Sequence, residues 1–395
     1  MSAPGAAPAG SGLGLAAIFG STFFALVGYF ILSPLLLLKL KGADISSTLA
    51  GLFVATNWLG IFVMTPFASA VANRIGRRQC MTLASGVLMV CALLFTLTQQ
   101  LALWFALNLL SGLAMSLRWV LSEALIAEFC PAEQRGRYVG LFQTLVSATF
   151  IIGPALLVWL GTQSEVTLWV VNGLNLLGLL WTALIPKVPA AADAGTARVG
   201  LRGLMHAVAA HPIIMLAGFV GGFFETGVTS ILPLYGLALG LSQDASAVMV
   251  SISGLGGVLV MIPAGMVADR FKDQAQGRRT LMVWAAACML LATAVLPWVA
   301  HSNWLAWPIV FAWGGAGGTL YAMAMTDIGS REKGITLVNS TAVLVLTYTL
   351  GGLLASGVSG ALIDWSPAVA FPGVLVAVAA LGLGALVRSR KQAAL

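Results

Sequence analysis

Three ionisable side chains stand inside stretches of sequence otherwise almost free of charge: Arg118, Glu123 and Glu225. Glu225 lies between Phe223-Phe224 and Thr226-Gly227. Apolar surroundings penalise an ionised carboxylate, so this group suits gaining and losing a proton, or holding a ligand. The structural alternative is a carboxyl that stays hydrogen-bonded and holds helices together. Arg118 keeps its charge under ordinary conditions and calls for an anion, either a Glu side chain or an anionic group of a ligand. Glu123 follows five residues later, about 140° around a helix, so the two do not share a face. Trp119 and Glu123, four apart, do share one. Glu123 is a candidate for gating or coupling, or for a pair with Arg135 or Arg137 at a helix end.

Weaker chemistry is spread along the chain. His211 and Met215 have i,i+4 spacing and combine imidazole with thioether, ligands that suit copper, but no Met-x-x-x-Met stands beside them. They are a weak metal candidate, and the expectation is no metal site and no cofactor. Cys80, Cys91, Cys130 and Cys288 lack metal-type or disulfide-type spacing and read as small hydrophobes. Asn57, Gln143, Asn339 and Tyr348 are polar positions inside apolar runs, suited to interhelical hydrogen bonds or to lining a cavity. The three histidines, His206, His211 and His301, fall at the edges of those runs, and no phosphate-cradling glycine loop occurs. An enzyme is not expected.

The elements that must position these residues follow from composition. Of 395 residues, 59% are hydrophobic and 8% charged, against roughly 25% charged in a soluble domain. Too few charges are present to cover a soluble surface, which excludes a cytosolic enzyme, a nucleic-acid-binding domain and a disordered chain. A bilayer crossing needs about 20 mostly apolar residues. Twelve such runs are found, near 13–38, 47–72, 79–98, 101–127, 137–160, 166–186, 212–238, 246–268, 280–300, 304–327, 336–359 and 368–387. Nothing alternates with period two as a membrane barrel would. The 45 glycines fit helices packed closely through small residues. Only Gln99-Gln100 separates the third run from the fourth, which requires a tight antiparallel hairpin.

Lysine and arginine set the orientation. With the N-terminus in the cytoplasm, 17 of the 20 fall in inside segments, Lys39 and Lys41 fall outside, and Arg118 is in a span. The net charge of +7 is therefore a topology signal and not the footprint of a nucleic acid. Both termini are expected in the cytoplasm. The chain divides into a tail (1–12), six spans (13–186), a cytoplasmic linker (187–211), six spans (212–387) and a tail (388–395). Each half carries a basic inside loop after its second span: Asn73-Arg74-Ile75-Gly76-Arg77-Arg78, and Asp269-Arg270-Phe271-Lys272 followed by Arg278-Arg279. The predicted fold is an all-α integral membrane protein of twelve transmembrane helices, two repeated halves around a central cavity, an organisation that supports alternating access.

These features resemble the major facilitator superfamily, whose loop signature is G-x-L-A-D-R-x-G-R-R. The first copy here is Ser69-Ala70-Val71-Ala72-Asn73-Arg74-Ile75-Gly76-Arg77-Arg78; the second begins Gly265-Met266-Val267-Ala268-Asp269-Arg270 and carries an insertion. The stretch Arg118-Trp119-Val120-Leu121-Ser122-Glu123-Ala124, the later Arg135-Gly136-Arg137 and Gly318-Thr319-Leu320-Tyr321-Ala322-Met323-Ala324 are similar to the YcaD-like subgroup. The resemblance implies a secondary transporter of a small organic solute in the bacterial inner membrane, proton-coupled, monomeric and surrounded by lipid. It implies that helices 1, 4, 7 and 10 line the cavity, which brings Tyr29, Arg118, Trp119, Glu225, Trp313 and Tyr321 into view of a solute. It also implies a cytoplasmic gate at the signature loops: Asn73, Arg74, Gly76, Arg77, Arg78, Asp269 and Arg270. Glu128, Glu133, Asp327 and Glu332 stand at inner helix ends beside Arg135, Arg137 and other cations, as an ion-pair network between the halves. Asn73 replaces the signature Asp, which weakens or relocates an ionic latch in the first half. Gly153-Pro154 is a fragment of the family's exporter motif and hints at efflux. A copper importer, a lipid flippase and a non-transporting receptor are the alternatives.

Overall fold

The computed structural model describes residues 12–129, 135–162, 164–186, 209, 211–271, 273–299, 303–331 and 334–392. Among these the regular structure is helical: α1 (Gly12–Gly42), α2 (Ser47–Met64), α3 (Ala68–Ile75), α4 (Arg77–Leu97), α5 (Leu101–Phe129), α6 (Arg135–Leu160), α7 (Glu165–Ala183), α8 (Pro212–Gly222), α9 (Thr229–Ala238), α10 (Gln243–Asp269), α11 (Gln274–Val299), α12 (Asn303–Arg331), α13 (Gly334–Trp365) and α14 (Ala370–Gln392). Among the described residues, ten helical stretches are long and apolar enough to cross a membrane. The remaining two expected runs, 137–160 and 304–327, fall on α6 and α12.

Two expected spans are not uniform helices. The run 47–72 is interrupted by a 3-10 turn, Thr65–Phe67, which carries Pro66 at its start; proline removes a backbone donor and breaks the α pattern there. The run 212–238 widens into a π-helical turn, Phe223–Val228, between α8 and α9. The hairpin between the third and fourth spans is as short as its sequence requires, α4 ending at Leu97 and α5 starting at Leu101. The Trp104 indole donates to the Thr98 carbonyl at 2.7 Å across it. Ser164 caps α7 and Ser242 caps α10, each accepting a backbone N–H of the first turn, the usual remedy for orphan donors at a helix start. Gly76, with φ of +89°, separates α3 from α4, a conformation open to glycine at little steric cost.

The chain forms two compact units: Met1–Leu36 with Thr56–Thr196, and Leu37–Ala55 with Ala197–Leu395. One cut, between Thr196 and Ala197, falls within the segment 187–211, while the C-terminal end of α1 and the first turns of α2 sort with the second unit. In the first unit a core cluster gathers Leu15 and Ile18 of α1, Met81 and Leu88 of α4, and Leu121, Leu125 and Phe129 of α5. In the second, α2 lies against α13 through small residues spaced by four: Ser47, Gly51 and Ala55 on one helix, Ser356 and Gly360 on the other. A Cβ on Gly51 would come within 2.6 Å of the Ser356 carbonyl, and one on Gly360 would collide with the Ser47 carbonyl. Asp364 completes the same row. It accepts from the Ser47 N–H at 2.9 Å, the Thr48 N–H at 2.6 Å and the Thr48 hydroxyl at 2.7 Å, so a carboxylate of α13 caps the N-terminus of α2.

Gly357, one turn away, would place its Cβ at an ordinary 3.5 Å from Ala55. Gly360→Ala is therefore expected to lower stability by about 1–3 kcal/mol, the usual penalty of overpacking, while Gly357→Ala leaves it nearly unchanged. Thermal unfolding of both variants in one detergent checks this. Equal melting temperatures would mean that α2 and α13 are not in backbone contact.

Candidate functional site

Glu225 is the fourteenth residue of the 27-residue stretch Pro212–Ala238, and so stands at mid-span. The π turn that carries it is framed by glycines. Gly222 leaves no room for a Cβ beside the Tyr348 carbonyl, and Gly227 brings the backbone against Gly352 and Ala355, all on α13. On the other flank, Gly317 of α12 would meet the Glu225 nitrogen at 3.0 Å if it carried a Cβ. A π turn disturbs the i→i+4 ladder, and hydroxyls take up carbonyls around it: Thr226 donates to Gly222 at 2.7 Å and Ser230 to Thr226 at 2.5 Å. Such turns recur at functional sites.

The wide turn brings the Glu225 carboxyl to α13 and α12. Its Oε2 accepts from the Tyr348 hydroxyl at 3.1 Å. The ring of Tyr321 lies 4.6 Å from that of Tyr348, centroid to centroid. Tyr348 is buried; Glu225 and Tyr321 are half-buried. Oε1 lies over Gly318, where a Cβ would stand 3.2 Å away. Among the described residues no lysine, arginine or histidine forms an ion pair with Glu225. Three positions singled out separately in the sequence, Glu225, Tyr321 and Tyr348, thus meet in one place in the second unit.

Trp313 does not join them. It is 1% exposed, and its indole N–H donates to Thr293 of α11 at 2.9 Å. The expectation that it faces a solute gives way to a core role.

Arg118 lies in the first unit, and its surroundings differ from the expected anion. The guanidinium donates to the Ser85 hydroxyl of α4, to the Thr182 hydroxyl of α7 at 3.4 Å, and to the carbonyl and hydroxyl of Ser21 on α1 at 2.9 and 2.8 Å. Ser21 and Thr182 share a hydrogen bond of 2.7 Å. Four helices are pinned by one cation satisfied with neutral oxygens. Glu123 accepts from the Trp119 indole at 3.0 Å, the face-sharing expected for i,i+4.

A small cavity of about 30 Å³ in the first unit is lined by Tyr29, Ser33, Asn57, Asn108, Ser111 and Asn175, among others, large enough for water. Tyr29 donates to Asn57 at 3.0 Å, and Asn57 to the Asn108 carbonyl at 3.2 Å. Gly153 has a packing role: a Cβ there would come within 2.5 Å of Phe30, so glycine lets α6 approach α1.

At the basic loops, Arg78 donates to the Ala183 carbonyl at 2.7 Å. Asp327 pairs with Arg278 at 3.3 Å, both buried, within the second unit. Arg74 and Arg77 lie on either side of Gly76, and Arg270 follows α10 directly. His211 precedes α8 and Met215 is buried within it. Cys80 and Cys91 are buried free thiols, whereas Cys288 is exposed. The side chains of Asn73, Glu128, Arg135, Arg137, Gln143, Asp269 and Asn339, and residues Cys130, Glu133 and Glu332, lie outside those described.

Sequence reasoning missed the hydroxyl cradle of Arg118, the π turn and Asp364. The cradle had a signal, since Ser21, Ser85 and Thr182 are polar positions in apolar runs at comparable depth. The π turn had only a weak one, in Gly221-Gly222 and Gly227 around Glu225.

The profile of the Major Facilitator Superfamily matches residues 18–342. Among curated relatives, the uncharacterized MFS-type transporter YcaD of Escherichia coli O7:K1 is 26% identical over 337 residues, 82% of each chain. The uncharacterized MFS-type transporter YfkF of Bacillus subtilis is 20% identical over 321 residues, 80% of each. Among solved structures, the D-xylose-proton symporter superposes with a TM-score of 0.74 at 18% identity, covering 94% of this chain and 95% of its own. The nucleoside transporter NupG does so with 0.74 at 14% identity, covering 95% and 98%. These likenesses concern the fold.

Replacing Arg118 removes several hydrogen bonds from a charged donor, each worth about 1.5–3 kcal/mol, and leaves a cavity. Arg118→Ala is expected to destabilise the protein by at least about 2 kcal/mol on those grounds, whereas Arg388→Ala, at an exposed position near the end of α14, changes little. Chemical unfolding of the two variants in the same detergent compares them. Equal stability would remove Arg118 from the structural framework.

Proposed function

The chain belongs to the Major Facilitator Superfamily of secondary transporters, and on that premise we propose that it moves a small organic solute across the bacterial inner membrane by alternating access, coupled to protons through Glu225. Both termini face the cytoplasm in this reading, and the halves 13–186 and 212–387 are its moving parts. The observation that carries it is the position of Glu225: a mid-span carboxyl on a π turn, tied by one tyrosine and without a cationic partner among the described residues. A carboxylate in such a place costs at least ~2.5 kcal/mol when charged and unpaired. A proton or a ligand relieves that cost, and alternation between the two links their movements. The D-xylose-proton symporter, which shares the fold, is by its name a transporter coupled to protons, which supports the reading without naming the solute.

The test combines a thermal-shift screen for solutes with flux in proteoliposomes. For a solute that stabilises the purified protein, an imposed pH gradient should drive accumulation at least tenfold above the level without a gradient. Glu225→Gln should abolish the gradient's effect while the variant unfolds at a temperature close to that of the unaltered protein. Gradient-driven accumulation unchanged in Glu225→Gln would move the proton elsewhere.

A further inference from the structure

The two oxygens of Glu225 are not equivalent. Oε2 is held by Tyr348, whereas Oε1 accepts no hydrogen bond from a described residue. It sits over the bare Cα of Gly318, where any larger residue would crowd it. The Tyr348 ring that holds the other oxygen packs against the half-buried Tyr321. A carboxylate oxygen without a donor, on a carboxyl held by one of two packed tyrosine rings, is a setting that attracts positive charge, to which the ring quadrupoles add. An anionic solute would meet repulsion at this point. Arg118, the buried cation of the first unit, has its guanidinium engaged by Ser21, Ser85 and Thr182.

We propose that the solute of this protein is an organic cation, an ammonium attached to an aromatic or similarly apolar body, which docks its charge on Oε1 of Glu225 at the Tyr348–Tyr321 pair. This rests on the reading of Glu225 as the coupling carboxyl and adds the substrate class to it. One carboxyl cannot hold a proton and an ammonium ion together. Docking on the protonated group therefore releases its proton to water as the ion pair forms, one proton for each cation, and protonation expels the cation. Solute and proton then exchange in opposite directions.

The titratable groups on the neighbouring elements are Tyr348 and Asp364 on α13, Tyr321 and Asp327 on α12, Tyr235 on α9 and His211 ahead of α8. Asp364 is engaged by Ser47 and Thr48, Asp327 by Arg278, and Tyr235 packs on Phe371. Within the described site Glu225 is the carboxyl that can exchange with the cation.

Matched trios of probes test the proposal on the purified full-length protein: 2-arylethylammonium ions, the corresponding 2-arylethanols and 3-arylpropionates, with phenyl, naphthyl and indolyl rings. Calorimetry in two buffers of different ionisation heat reads affinity and proton release together. The expected result is binding of at least one ammonium, at least tenfold tighter than its alcohol, with no binding of the carboxylate. Affinity should fall as pH is lowered, by up to tenfold per unit, with close to one proton released per cation at the acid end. Glu225→Gln should weaken binding at least tenfold, and Tyr348→Phe, which frees Oε2 but keeps the ring, should retain it within a fewfold. The unfolding temperature of each variant confirms that it is folded.

Carboxylates or alcohols bound as well as the ammonium ions, no ammonium bound at all, or ammonium affinity indifferent to Glu225→Gln would overturn the cation assignment. If a neutral solute from the screen is driven by a pH gradient through Glu225, coupling stands and the cation assignment fails. If an ammonium binds with proton release but no gradient drives it, the site stands and the transport reading fails.

Discussion

The interior of a bilayer offers no water to polar groups, so each must find its partners within the protein or remain unsatisfied at a cost of several kcal/mol. Arg118 and Glu225, charged residues within the spans, answer that constraint in opposite ways. Arg118 is enclosed by three hydroxyls and a carbonyl drawn from three other helices. Its charge is permanent, and the four-helix pin around it is a fixed structural element. Glu225 has one oxygen engaged and one open, on a turn whose own ladder is already disturbed. A fully satisfied carboxylate would be a strut. A half-satisfied one, able to take a proton, can have two states.

The surrounding architecture maintains that incompleteness. Glycines at 222, 227 and 317 press the backbone of the π turn against α12 and α13, which fixes the position of the carboxyl to within the play of its own side chain. Gly318 removes the side chain that would otherwise cover Oε1. Close glycine contacts of the same kind join α2 to α13, where the Asp364 cap is itself fully engaged. At both contacts small residues bring the backbones together, and polar groups on the neighbouring turns then meet at short range.

Most of the fold was legible in the amino-acid sequence because the signal for a membrane crossing is simple: length, apolar content and the placement of Lys and Arg. The twelve runs fall on helices, and Glu225, Tyr321 and Tyr348 were each visible as polar or aromatic positions in apolar stretches. What joined them was not visible. A π turn shifts the register of every later residue by a fraction of a turn, and periodicity cannot register so small a change. The neutral cradle of Arg118 was hidden for a different reason. An arginine's five donors can be met by hydroxyls and carbonyls as well as by a carboxylate, and three such hydroxyls, far apart in the chain, converge only in the fold. The 3-10 break after Met64 had a plain marker in Pro66, which a count of apolar residues passes over.

The central claim, that Glu225 carries the exchangeable proton, is tested most directly by infrared difference spectroscopy of the reconstituted protein across a pH titration. The account predicts a carbonyl-stretch band of a protonated carboxylic acid that grows as the medium is acidified and is absent from Glu225→Gln. Its frequency should change in Tyr348→Phe, because the tyrosine hydrogen bond is lost. A spectrum in which no band in that region depends on Glu225 at any pH would show that its charge state is fixed, and would contradict the account.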